Sequence, residues 1–325
     1  MDENLEFWRS QGTTFFQRFY HWADILNPLL LFVSQQKIDN ARILLLKRGE
    51  KATESLEDKK IKEAWKLSLA SVHSGSGETI PVIFRPPAFL PFTAPLVITT
   101  SLPHRGTTQA FLWQFLLHTY IGGFSLANGN SGTEAIRNDT EKEFPFKQSL
   151  LSIGAITYSA CVGTLPQYLM IHYKPQNPSV QLLFRSVIPG PLTALLCAFN
   201  LTVIRATEFE NGIKVMDRKG RVIGVSQRAG EKAVKETAIS RAVLFGTAIC
   251  IPDLVLHFLK RANILLRNPY VWTPLRSIVM ISAFGAMIPV SFSLMPQVGK
   301  ITRSELEPEI ISTTEETEFF YNRGV

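Results

Sequence analysis

Long apolar runs alternate with charged segments along this chain of 325 residues. The pattern divides it into a polar stretch over 1–85, an apolar-rich region over 86–299 and a polar tail over 300–325. Five runs, about 109–128, 149–171, 186–204, 242–259 and 277–299, approach bilayer length, which takes ~20 apolar residues. A polar loop over 205–241 separates the third run from the fourth. The pattern predicts an all-α polytopic membrane protein with about five transmembrane helices and an N-terminal helical region. The segment 86–104 is also apolar but holds prolines 86, 87, 91, 95 and 103. So much proline opposes a regular spanning helix, and a re-entrant or interfacial segment is expected there.

Finer periodicity adds elements to the polar parts. The start is amphipathic and aromatic, with Phe7, Trp8, Phe15, Phe16, Phe19, Tyr20 and Trp22. Helical spacing puts several of these rings on one face, suited to a membrane surface or to packing in a small domain. Helices are expected over 35–49 and 57–72, and a further amphipathic one over Gln227–Ser240, leading into the fourth run. Ile213 to Gly224 alternates and turns at Asp217–Gly220, a hairpin pattern. With five spans the termini are expected on opposite sides; if 86–104 spans as well, the N-terminus moves to the side of the tail. The loops over 129–148 and 205–241 and the tail share one side and carry 3, 9 and 3 Lys/Arg, against 2 and 4 for the two short loops opposite. The positive-inside rule assigns the richer side to the negative compartment.

Composition sharpens the class. Mean hydropathy is only +0.10, because charged segments dilute the apolar runs, and the net charge is +7 with a pI near 9.3. The basic residues flank apolar runs rather than forming one block, which argues against a nucleic-acid partner. Cys161, Cys197 and Cys250 sit singly in different runs, without the paired spacing of a metal or iron–sulfur site, and read as small buried hydrophobes. The acidic start from Met1 lacks the patterns of a secretory signal and of a transit peptide, so no cleavable presequence is evident and targeting information is expected to be internal. Nucleophile–base pairs, phosphate loops and metal sites are absent from the pattern, which points away from an enzyme and from a cofactor.

Candidate chemistry lies inside the apolar region. Proline breaks recur at Pro166, Pro189, Pro191, Pro252, Pro289 and Pro296. Broken helices free backbone groups at depth, as in carriers of small solutes, and proline is also tolerated there as a packing kink. Asp253 is an acid near mid-span, where a charge faces a cavity or a partner. Asn128-Gly129-Asn130-Ser131-Gly132 closes the first run, either as hydrogen-bonding groups for a zwitterionic solute or as a helix C-cap. Asn200, inside the third run, is the better substrate-binding candidate, since a buried amide needs a partner. His118 reads as a neutral packing residue.

Several of these features together resemble a known family, the sideroflexins of the mitochondrial inner membrane. The resemblance rests on the loop His73-Ser74-Gly75-Ser76-Gly77-Glu78 between the polar start and the spans, and on Asn128 and Asn130 after the first span. It rests also on the Val215–Gly224 loop and the ending from Phe320 to Val325, and it covers essentially the whole chain. Phe84 to Pro95, Ile288 to Gln297 and Thr314 to Glu318 look like a divergent branch of that family. Its transporting members are similar around His-Pro-Asp-Thr-Gly-Glu; here the proline and the aspartate are gone, which leaves His73, Gly77 and Glu78 as a degenerate motif. Membership implies serine transport, with Asn128, Asn130, Asn200 and Asp253 as substrate-binding candidates. The divergent branch implies instead a multi-pass inner-membrane protein required for assembly of respiratory complex I, with links to iron–sulfur and iron homeostasis. The implied partners are complex I assembly intermediates and assembly factors, membrane lipid, and, on the transport reading, serine or a related small amino acid.

Overall fold

The computed structural model describes residues 2–47, 55–130, 143–261, 272–312 and 315–325. The N-terminal helices are α1 (Glu3–Gln11), α2 (Phe15–Ile25), α3 (Gln35–Lys47) and α4 (Ser55–Ser71). Local chemistry sets their starts: the Asp2 side chain caps α1, and Thr14 and Gln17 form a capping box on α2. Asn27 caps a 3-10 turn, Pro28–Phe32, that ends this aromatic stretch.

The proline-rich segment resolves into 3-10 turns at Val82–Phe84 and Pro86–Ala88, followed by α5 (Phe89–Ser101). Pro91 falls in the first turn of α5, where amides lack helical partners anyway, and only Pro95 lies inside the helix. Thirteen residues rise about 20 Å, less than the ~30 Å hydrocarbon core.

The bundle proper comprises α6 (Thr107–Asn128), α7 (Glu143–Tyr173), α8 (Pro178–Leu182), α9 (Pro189–Ile204), α10 (Ala206–Glu210), α11 (Gln227–Arg261) and α12 (Trp272–Ser293). Among the described residues four helical segments are long and apolar enough to cross a membrane: Phe146–Tyr173, Pro178–Ile204, Gln227–Leu256 and Thr273–Ser293. The expected first span is a helix of suitable length, α6, whose Gln109, Gln114, His118 and Asn128 lower its apolarity. α8 and α9 are joined by a π-turn at Leu183–Val187, just ahead of Pro189. The amphipathic helix from Gln227 and the fourth expected span are one continuous helix, α11.

The helical class is joined by a sheet that the all-α expectation left out. Strands β1 (Ile213–Met216), β2 (Val222–Ser226), β3 (Val298–Thr302) and β4 (Glu318–Asn322) form an antiparallel sheet in the order β2-β1-β4-β3. The β1–β2 hairpin is the expected one, with Gly220 at φ +78° in its turn. The C-terminal pair is a correction. The last helix stops at Ser293, ahead of Pro296, so Val298 and Gly299 are strand rather than span. The tail, polar in overall composition, buries Phe319, Phe320 and Tyr321.

The chain ends also correct an expectation. Arg9 of α1 lies over the Phe320 ring at 5.0 Å, and Trp22 meets Phe292 edge-on at 5.0 Å. The N-terminal region and the tail therefore sit at the same end of the bundle, not at opposite ends. The reason is α5, which runs into the bundle and turns back at 102–106, so the arrangement is the alternative in which 86–104 counts as a passage and the N-terminus joins the side of the tail. One apolar core runs through all three parts, from Leu5, Trp8 and Trp22 through Phe89, Phe124, Phe245 and Phe284 to Phe292 and Phe320.

Candidate functional site

Three long helices end at the face that carries the sheet: α6 at Asn128, α9 at Ile204 and α12 at Ser293. Their last carbonyls carry the negative end of the helix dipole and need donors. Distant parts of the chain supply them. His73 Nε2 meets the Gly129 carbonyl at 3.0 Å, and the Val325 amide donates to the Asn128 carbonyl at 3.2 Å. Gln148 Nε2 donates to the Val203 and Ile204 carbonyls at 3.2 and 2.6 Å. Arg323 donates to the Phe292 carbonyl at 3.1 Å, and Arg18 to the Ser293 carbonyl at 2.9 Å.

Buried charge fills the space between these ends. Arg205 and Glu208 form a two-point ion pair, and Glu208 accepts as well from the Asn130 amide and side chain, both at 3.0 Å. Arg205 also donates to the Arg323 carbonyl at 2.7 Å. Burial pulls Arg323 down to about 10, with Glu236 opposing that fall. It still stays charged at neutral pH.

His73 is the hub of its loop. Val72 and Thr79 bridge across it, Gly77 sits at φ +72° at the turn, and the His73 amide donates to the Glu78 carbonyl at 2.8 Å. The Gly75 and Ser76 amides donate to Nδ1 at 3.1 and 3.2 Å. That leaves the proton on Nε2, aimed at Gly129. Burial lowers the His73 pKa, against the pull of the Gly129 carbonyl and of Glu208. The Glu78 side chain is exposed, so the degenerate motif acts here through the ring of His73 and the backbone of Gly77 and Glu78.

The four substrate-binding candidates do not meet at one point. Asn128 donates to the Phe84 and Phe124 carbonyls, both at 2.9 Å, and Asn130 is held by Glu208 and by the Asn322 carbonyl at 2.8 Å. Ser131 and Gly132 lie outside the described residues. Asn200 is fully buried on α9 and donates to the His118 carbonyl at 3.1 Å. Its Oδ1 and both His118 ring nitrogens find no partner among the described residues. Asp253 lies toward the other end, pairing with Arg276 at 3.0 Å, while Arg276 reaches the Ser101 carbonyl at 3.4 Å. Cys161 is exposed, Cys250 half-buried and only Cys197 fully buried, so the expectation of three buried cysteines holds for one. Among the described residues no three of His, Cys, Asp and Glu gather into a metal-holding group.

The cationic half of this arrangement was not foreseen. Arg205, Arg241 and Arg323 are all essentially buried. Read along the chain, the first two sit where an apolar run meets a polar loop and look like interfacial anchors. The one available signal was the absence of flanking charges around Ser240-Arg241-Ala242.

Comparison with known proteins covers the whole architecture. A family model described as sideroflexins matches residues 4–325. The chain is 46% identical over 325 residues to sideroflexin-4 of Danio rerio, covering all of both chains. It is 39% identical to sideroflexin-4 of Homo sapiens, covering all of this chain and 93% of that one. Against sideroflexin-5 of Homo sapiens the identity is 30% over 319 residues, 98% of this chain and 91% of the other. No solved structure matches.

Proposed function

The chain belongs to the sideroflexin family, and on that premise we propose that it is a non-catalytic protein of the mitochondrial inner membrane that serves assembly of respiratory complex I. The tie to iron–sulfur and iron homeostasis belongs to the same proposal. One observation carries it: the polar groups of the degenerate motif and of the Asn128–Asn130 segment, which a carrier would present to a solute, are committed to holding the fold. His73, Asn128 and Asn130 each tie a helix end to another part of the chain. What the N-terminal region offers outward is instead apolar. Phe16, Tyr20, Leu29 and Phe32 are 70 to 86% exposed, and clustered exposed rings of this kind are features of a membrane or partner surface.

The test is co-purification and loss. Complex I subunits and assembly factors should accompany the tagged protein, and its deletion should stall a membrane-arm intermediate. Normal complex I levels in deleted cells would remove this reading.

A second reading, carriage of serine or a related small amino acid, is favoured by the unpartnered Asn200 Oδ1 and His118 ring inside the bundle. Reconstituted protein should then move labelled serine, with less flux for Asn200→Ala. No flux in liposomes where a transporting relative works would sink it.

A further inference from the structure

The charge of this chain is divided unevenly between the two ends of the bundle. Contacts define the end far from the sheet: Gln167 of α7 donates to the Thr100 and Leu102 carbonyls at 3.1 and 3.0 Å, and Arg276 of α12 joins Asp253 of α11 to the Ser101 carbonyl. The segments that run to this end and back, 86–128, 149–204 and 242–299, hold seven Lys and Arg against one acid, Asp253. The rest of the chain holds 27 against 26, so six of the seven net positive charges belong to the far end. At the sheet-bearing end basic side chains are spent on carboxylates, among them Lys37, Lys66, Arg221, Lys232 and Lys235. The far-end ion pair among the described residues is Asp253–Arg276, and Arg105, Lys174 and Arg185 stand exposed outside it. Lys174 takes φ +40° as α7 ends, a left-handed turn where glycine is the ordinary choice.

We propose that this far face is a docking surface for anionic phospholipid, with Arg105, Lys174 and Arg185 holding headgroup phosphates. Guanidinium groups match phosphate oxygens with paired hydrogen bonds, and basic clusters beside membrane helices attract anionic lipid. Apolar side chains accompany the cations: Tyr173 is 74% exposed, Leu182 61% and Val187 53%. They lie against acyl chains while the cations reach the headgroups. The segment Pro178–Ile204 counts 27 residues and rises about 40 Å, more than the ~30 Å hydrocarbon core. That excess leaves Arg185 within snorkelling reach of the headgroup layer. Charge complementarity selects an anionic surface, and the exposed apolar side chains beside the cations select lipid over an acidic protein or a free anion.

The inference goes beyond the assembly reading and is tested by lipid selectivity, so its failure is separable from a failure in complex I abundance or in flux. Full-length protein is equilibrated with mixed micelles of equal phosphatidylglycerol and phosphatidylcholine, and the lipids that co-purify with it are counted by mass spectrometry. Phosphatidylglycerol should be enriched at least about fivefold. Arg105→Gln, Lys174→Gln and Arg185→Gln combined should bring the enrichment below about twofold. Lys37→Gln, Lys219→Gln and Lys235→Gln combined remove the same charge from the opposite end and should leave it unchanged. Neither sn-glycerol 3-phosphate nor a polyglutamate peptide in excess should displace the lipid. No enrichment, enrichment kept in the far-end variant or lost equally in the control, or displacement by the phosphate or the peptide would overturn the proposal. Each far-end replacement made singly should lower the enrichment in part, and three undiminished single variants would overturn it should the triple variant fail to fold.

Discussion

Arg205 and Glu208, one turn apart and with side chains 0% exposed, are joined by two hydrogen bonds of 2.6 and 2.7 Å. The pair stands where α9 ends, and it holds Asn130 and the Arg323 carbonyl around it. Removing one partner of such a pair leaves a buried charge uncompensated, at a cost of about 3–5 kcal/mol. Glu208→Gln is therefore expected to lower the thermal midpoint sharply. A double replacement, Arg205→Met with Glu208→Leu, should recover part of that loss, measured on the same purified protein.

His73 gives the fold a pH dependence of defined sign. Burial keeps the native ring neutral below the ordinary imidazole value of about 6.5. Asp2, Glu208 and Arg205 are the charged groups acting on it. The unfolded chain then binds more protons than the native one as pH falls through 6.5 and below, so stability is lost on that side. His21, also lowered chiefly by burial, adds in the same direction. The midpoint should fall between pH 7.5 and 5.5, and His73→Gln should reduce the slope without abolishing it. An unchanged slope would contradict the neutral assignment.

Gly230 marks a close approach that a methyl group cannot enter. A Cβ there would collide with the carbonyl of Glu208, which is backbone and cannot swing aside. Gly230→Ala is expected to cost about 1–3 kcal/mol by overpacking. Gly154, with open space around its Cβ position, is the control, and its alanine variant should stay within about 1 kcal/mol of the parent. The comparison is read as paired thermal midpoints.

Asp253 and Arg276 stabilise the far end of the bundle as a pair, with side chains 17 and 24% exposed. Asp253→Asn and Arg276→Gln should each cost about 1–3 kcal/mol. A double-mutant cycle should return a coupling of about 1 kcal/mol or more. Additive losses would instead free Asp253 for a role with a solute.

Much of the fold was legible because its signals are local. The Asp217–Gly220 turn between alternating strands gave the hairpin, and apolar run length gave the long helices. The C-terminal strand escaped because Phe319-Phe320-Tyr321 follows an acidic stretch, and its pairing with β1, Val215 against Tyr321, joins residues far apart in sequence. The shared side of the two chain ends turned on α5, whose return depends on packing rather than composition. The candidate site was half legible: Asn128, Asn130 and Asn200 announced themselves as polar residues at a helix end or inside an apolar run, and His73 only through its resemblance to a family motif. Arg205 and Arg241 did not, because an arginine beside an apolar run has the same pattern whether it anchors at an interface or turns inward.

The central claim, an assembly role that outlasts the loss of a carrier's polar set, is tested most directly by rescue. Cells lacking the protein are complemented with the wild type or with Asn200→Ala at equal abundance, and assembled complex I is measured on native gels. Wild type and Asn200→Ala restoring it equally is the predicted result. Undiminished complex I in the deleted cells, or rescue lost in Asn200→Ala together with serine flux, would contradict it.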